Sequence, residues 1–101
     1  MVREVVLVPE AVIDADQAYE WYQSQVPGLG EEFLRALDLA YTRISLSPEQ
    51  YPLRFDSFRR ILLHRFPYVV YFVAEMETVI VHYIFHCSRN PQKIKKRLRQ
   101  S

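Results

Sequence analysis

Apolar residues recur with a helical period over two neighbouring stretches in the first half of the chain. In residues 11–25 they fall three or four positions apart, at Ala11, Ala15, Ala18, Trp21 and Tyr22. After a break at Pro27-Gly28 a second stripe follows, at Phe33, Leu37, Tyr41 and Ile44. Such spacing places the apolar side chains on one side of an α-helix. The pattern therefore predicts two antiparallel helices joined by a short turn.

Strand-like runs flank this helix pair. A short β-rich run, residues 3–8, ends at Pro9, and a loop signal covers residues 47–52. Three further strands are predicted at residues 58–66, 68–75 and 78–86, followed after Pro91 by a short basic helix or tail. The order βααβββ, with that short C-terminal helix or tail, predicts an α+β fold. We expect one domain, residues 1–101, with the helix hairpin packed on one face of a small antiparallel sheet and the other face open.

Alternation along the last strand predicts which side chains reach the open face. Val79, Val81, Tyr83 and Phe85 share one side, and Ile80, His82, Ile84 and His86 share the other. Since the first set is wholly apolar, we expect it to pack on the helices and to leave His86, with His82, toward the open face. In residues 58–66, Arg60 and Arg65 have opposite parity, so either register brings an arginine to the open face.

Composition restricts the class of protein. Hydrophobic residues make up 50% and charged residues 25% of the 101 positions, which is typical of a globular domain. The single cysteine, Cys87, cannot form an internal disulfide, which favours a reducing compartment. The sequence shows no signal-peptide pattern and no apolar stretch long enough to span a bilayer. We therefore expect a cytoplasmic protein without a membrane partner.

Charge is distributed unevenly along the chain. Residues 1–50 carry nine acidic and three basic residues, whereas residues 51–101 carry three acidic and ten basic residues. If the two halves form different faces, the basic face suits a polyanion or an acidic partner. An acidic helix pair that simply balances a solvated basic tail is the alternative.

Metal and thiol chemistry find little support in the sequence. His82 and His86 lie four positions apart on a strand, roughly 13 Å from one another, which is too far to chelate one ion. His86 and Cys87 are adjacent and point to opposite faces, and no CxxC or helical HxxxH pair occurs. Cys87 has basic neighbours that can activate a thiol, but a cysteine at a strand end is more often a buried filler. We expect neither a metal nor a cofactor.

The end of the last strand suits RNA cleavage better. In that reaction a ribose 2′-hydroxyl attacks its own 3′-phosphate, which requires a proton acceptor, a proton donor and cations for the phosphorane charge. His86 offers acid–base chemistry, and Arg89, Arg60 and Arg65 offer phosphate-directed cations. The tail cations would hold the nucleic-acid backbone without reading its sequence, at Lys93, Lys95, Lys96, Arg97 and Arg99. The simpler interpretation is a polar strand end and a solvated tail.

Five short segments, in this order and spacing, resemble the RelE/ParE toxin superfamily of bacterial type II toxin–antitoxin systems. They are AYEWY at 18–22, PGLGEEF at 27–33, SPEQYP at 47–52, RRILLHRFPYVVYF at 59–72 and HCSRNP at 86–91. The resemblance covers nearly the whole chain. It implies a helix hairpin against a small antiparallel sheet with a concave open face. It also implies a toxin that a small antitoxin, encoded beside it, holds inactive.

The resemblance leaves the target open. RelE-like members cut messenger RNA in the ribosomal A site, and for them it implies that His86, Arg89, Arg60 and Arg65 carry the chemistry. ParE-like members block DNA gyrase and cut nothing themselves. This chain has Asn90 where many relatives carry an acid, and no lysine before Lys93, whereas several ribosome-dependent nucleases use central lysines. We expect the A-site nuclease. The alternatives are a gyrase inhibitor, or a degenerate toxin that binds only its antitoxin and, through it, operator DNA.

Overall fold

Two helices form the hairpin that the apolar periodicity predicts. The computed structural model describes residues 2–88 and residue 96. Helix α1 spans Pro9–Gln25 and helix α2 spans Leu29–Leu46. Pro9 occupies the first turn of α1, where its missing N–H leaves no helical hydrogen bond unmade. The turn between the helices passes through Gly28 at φ 91°, a left-handed conformation that suits glycine.

The strands form one five-stranded sheet in the order β1-β5-β4-β3-β2. They are β1 (Glu4–Leu7), β2 (Leu53–Phe55), β3 (Phe58–Leu62), β4 (Tyr68–Ala74) and β5 (Thr78–His86). The α+β fold with a helix hairpin on a small sheet is thus confirmed. The sheet is mixed rather than wholly antiparallel, because β1 pairs with β5 in parallel. A parallel neighbour needs a long crossover connection, which the helices and the middle strands supply.

Two details of the predicted elements differ. The loop signal at residues 47–52 contains a 3₁₀ helix, Pro48–Gln50, and the strand β2 that follows it was not expected. Strand β3 ends at Leu62 rather than at Phe66, since residues 63–67 form a loop in which Arg65 has φ 72°. A positive φ is incompatible with a continuing strand.

The main core lies between the helix hairpin and one face of the sheet, called here the helix face. Small residues of α1 (Ala11, Ala15 and Ala18) let the helix approach the sheet closely. The Phe33 ring is fully buried and packs against the rings of Tyr22, Phe66 and Tyr68, with centroids 5.1–5.4 Å away. Edge-to-face and offset contacts of this kind add to the burial of apolar area.

Candidate functional site

Strand β5 contains a β-bulge in front of its last four residues. Tyr71 and Phe72 are consecutive on β4, but their partners on β5 are Tyr83 and Val81. His82 is therefore an extra residue with no partner of its own in the β4–β5 register. A bulge of this kind bends the strand and shifts the phase of the side chains that follow it.

The bulge overturns the predicted facing of β5. Val79, Val81 and Ile84 belong to the main core on the helix face, whereas Tyr83 and Phe85 lie on the opposite face, called here the second face. The expectation that all four residues of the first set pack on the helices was wrong beyond Val81. His86 has the parity of Ile84, so it lies on the helix face and not on the open one. Its ring meets the ring of Tyr68 edge-to-face, at 5.2 Å between centroids.

The second face is an aromatic cluster rather than an open polar surface. Five side chains at its centre are at most 7% exposed: Phe58, Val69, Tyr71, Tyr83 and Phe85. Phe55 and Val73 are partly buried and pack against this cluster. The expectation that the face away from the helices is open is therefore wrong at its centre, where the five side chains are buried.

The predicted arginines do not converge on one point. Arg60 pairs with Tyr71 in the β3–β4 ladder and shares its parity, so Arg60 lies on the second face. His86 and Arg60 are consequently on opposite faces of the sheet. Arg65 is in the β3–β4 loop and is exposed.

Arg65 and His86 do share one end of the sheet. The Cys87 N–H donates to the carbonyl of Pro67 at 2.8 Å, so the segment after β5 is bonded to the β3–β4 loop. Residues 63–67 and 86–88 are together called the sheet end. It contains His86, the last residue of β5, and three residues outside the strands, His64, Arg65 and Ser88. Of the four, sequence reasoning gave a role to Arg65 and His86 and missed His64 and Ser88.

Two contacts from Ser88 select one tautomer of the neutral His86 ring. The Ser88 backbone N–H donates to His86 Nδ1 at 3.0 Å, and the Ser88 hydroxyl lies 2.7 Å from the same nitrogen. A nitrogen that accepts a backbone N–H must carry a lone pair, so the ring proton of neutral His86 resides on Nε2. To take up a second proton at Nδ1, the ring must lose its contact with the Ser88 N–H.

His82, at the bulge, is half-buried against the second face. Its ring meets the ring of Phe58 edge-to-face at 5.1 Å. Burial lowers the pKa of His82, and the charges of Glu10 and Glu75 act in the opposite direction. His82 is suited to packing in its neutral form.

The predicted tail residues Arg89, Lys93, Lys95, Arg97 and Arg99 lie outside the described residues. Lys96 is described and is exposed. Within residues 2–88 and 96, no group of three or more metal-ligating side chains comes together. Cys87 is exposed and forms no disulfide. None of the described helices combines the length and apolar character that crossing a bilayer requires.

The sequence matches no protein-family model and no curated protein. Its fold is nevertheless shared with a solved structure, described as the chromosomal ParDE TA system from P. aeruginosa. The superposition has a TM-score of 0.74 and covers 84% of this chain and 96% of that chain, at 16% sequence identity. The superposition, rather than the sequence identity, establishes that the two chains share a fold.

Proposed function

We propose that this chain is the toxin of a type II toxin–antitoxin pair, a cytoplasmic protein held inactive by a small antitoxin. Two observations support the proposal. The five segments quoted above occur in the order typical of the RelE/ParE superfamily. The fold is that of a chain from a structure described as a ParDE TA system.

For the target, we propose messenger RNA on the ribosome. The observation that carries this proposal is the sheet end, where the Cys87–Pro67 hydrogen bond keeps the end of β5 beside the loop that presents Arg65. A proton-transfer group, His86, and a phosphate-directed cation, Arg65, are thereby attached to one rim of the molecule. Arg89, two residues beyond Cys87 in the sequence, is proposed as a second cation there.

The reaction needs no cofactor. The ribose 2′-oxygen forms a bond to phosphorus while its proton passes to a base, and the bond from phosphorus to the 5′-oxygen breaks as that oxygen gains a proton. The products are a 2′,3′-cyclic phosphate and a 5′-hydroxyl. The arginines stabilise the charge that develops on the phosphorane oxygens. His86 takes part once the Ser88 turn releases Nδ1, and ribosome binding is the event that we propose moves it.

Primer extension on a translated and an untranslated message tests this proposal. We expect cuts in the translated message only, reduced about 100-fold or more by His86→Ala through loss of the acid or base. Arg65→Ala and Arg89→Ala should reduce cutting through loss of charge stabilisation. Arg43→Ala, an exposed arginine of α2, is the matched control. Arg60→Ala tests whether an arginine on the second face contributes at all.

A gyrase inhibitor is the second candidate function. The observation behind it is the description of the matched structure as a ParDE TA system. The superfamily resemblance implies that ParE-like members act on gyrase. This candidate also requires neither a proton on His86 Nδ1 nor an arginine beside it. Inhibited supercoiling by purified gyrase, with intact messages and no effect of His86→Ala, would establish this candidate against the nuclease. Antitoxin binding with neither activity would indicate a degenerate toxin.

A further inference from the structure

A groove runs between helix α2 and the β3–β4 loop and shares Arg65 with the sheet end. Its volume is about 190 Å³. One wall is a stripe of α2 whose members are three or four positions apart, and the other is the loop; the lining residues are Glu32, Arg35, Ala36, Leu39, His64, Arg65 and Phe66. The groove is large enough for one or two side chains of another molecule.

The lining combines apolar and basic groups. Ala36, Leu39 and Phe66 supply the apolar part, and Leu39 is 43% exposed although it is a large hydrophobic residue. Arg35 and Arg65 supply two cations, and the His64 ring lies beside them in the lining. Glu32 is the single acid among the lining residues. An apolar floor with basic edges matches an amphipathic segment that carries carboxylates.

The ion pair across the groove is weak enough to be exchanged. Arg65 Nη1 lies 3.5 Å from Glu32 Oε1, and the two side chains are 61% and 37% exposed. A long contact between exposed groups contributes little to stability. A carboxylate from a partner can therefore engage Arg65 without disrupting a strong internal interaction.

We propose that this groove docks an acidic, amphipathic segment of the antitoxin, with an apolar side chain against Leu39 and Phe66 and carboxylates at Arg35 and Arg65. The inference rests on the proposed toxin function and names the groove as the place where the antitoxin binds to inactivate the toxin. RNA fits less well, because phosphates gain nothing from the apolar floor and are repelled by Glu32. A segment bound here covers Arg65, so it withdraws a proposed phosphate contact from the sheet end.

Rescue of growth tests the groove in cells. The toxin is expressed with and without the protein encoded by the adjacent reading frame, as wild type and with Arg35→Glu or Leu39→Ser. The matched control is Arg43→Glu, which makes the same charge reversal on the same helix outside the groove. We expect the groove variants to stay toxic but to be rescued poorly. Calorimetry on the purified pair should show binding weakened about tenfold or more by Arg35→Glu, and unchanged by Arg43→Glu.

The outcomes separate this inference from the function on which it rests. If the wild type is neither toxic nor bound by the neighbouring protein, the proposed function fails. If the wild type is toxic and rescued, and the groove variants are rescued equally well, the groove inference alone fails. Normal antitoxin binding with lost toxicity would assign the groove to the target instead. Thermal melts of each variant exclude misfolding, and a complementary acid-to-lysine change in the antitoxin should restore binding to Arg35→Glu.

Discussion

The carboxylate of Asp14, in the middle of helix α1, accepts the backbone N–H of Ile84 at 3.0 Å. This contact joins the helix to β5 just after the bulge. Strand β1 ends at Leu7. The next residue, Val8, donates its backbone N–H to the carbonyl of Val81. Beyond that point no strand within residues 2–88 neighbours β5 on this edge. Asp14 supplies the acceptor that a longer β1 would have provided.

Replacing Asp14 with alanine should therefore destabilise the fold. Ile84 is 2% exposed, so its N–H would be left buried without this acceptor, at a cost of about 1–3 kcal/mol in the free energy of unfolding. Asp14→Asn keeps an acceptor oxygen and should cost less. Urea denaturation of these variants is compared with Asp16→Ala, an exposed position on the same helix. Equal stabilities of Asp14→Ala and Asp16→Ala would contradict this role.

Asp14→Ala should also disturb which face of the sheet the side chains of β5 occupy after the bulge. Because Asp14 bonds the first residue after Val81 that returns to the helix face, its loss should weaken the contact between the rings of His86 and Tyr68. We expect the nuclear Overhauser effects between these two rings to weaken in Asp14→Ala and to persist in Asp16→Ala. An unchanged ring contact would show that β4 pairing alone holds the bulge.

Phe33→Ala should come close to unfolding the domain. The ring is fully buried among three other aromatic rings, and a buried phenylalanine lost to alanine costs about 3–5 kcal/mol. The total free energy of unfolding of a small domain is only about 5–15 kcal/mol. The neighbouring Leu34, 39% exposed, is the control, since Leu34→Ala should cost about 1 kcal/mol or less. Similar chemical-denaturation midpoints for the two variants would show that this cluster is not the centre of the core.

Gly30→Ala should destabilise the protein although it lies in a helix. Helix propensity alone predicts a gain of about 1 kcal/mol. A methyl group at Gly30 would, however, lie 2.8 Å from ring carbons of Tyr19 and from Gln23 Oε1, the atom that accepts the Gly30 N–H. We expect a net loss of about 1–3 kcal/mol by thermal melting. Adding Tyr19→Ala should relieve much of the clash, and a stabilised single variant would overturn the prediction.

Stability should fall in mild acid through His82. Burial lowers the pKa of His82 below its ordinary value of 6.5, so the unfolded chain binds a proton more readily than the native state. The free energy of unfolding therefore decreases as the pH falls below 6.5, until the native histidine is also protonated. When the pH is lowered from about 7.5 to about 5.5, the melting temperature of the wild type should fall further than that of His82→Gln. His64→Gln, at an exposed loop position, should behave like the wild type, and a parallel response of all three proteins would count against this cause.

The local order of elements was determined by the sequence itself. Helical spacing of apolar residues gave the hairpin, Pro27-Gly28 gave its turn, and the last two strands were located to within a residue. These features depend on interactions between residues close together in the chain, which periodicity and turn chemistry report directly. The α+β class followed from the order of those elements.

Only the tertiary structure decided which way the chemistry faces. Strict alternation assigns His86 to the side away from the helices, but one extra residue in β5 reverses every side chain after His82. That bulge is stabilised by pairing with β4 and by Asp14, 70 positions away from Ile84 in sequence. No local pattern in residues 78–86 encodes contacts with such distant partners. For the same reason the separation of His86 from Arg60, and its attachment to the loop of Arg65, became visible only in the folded sheet.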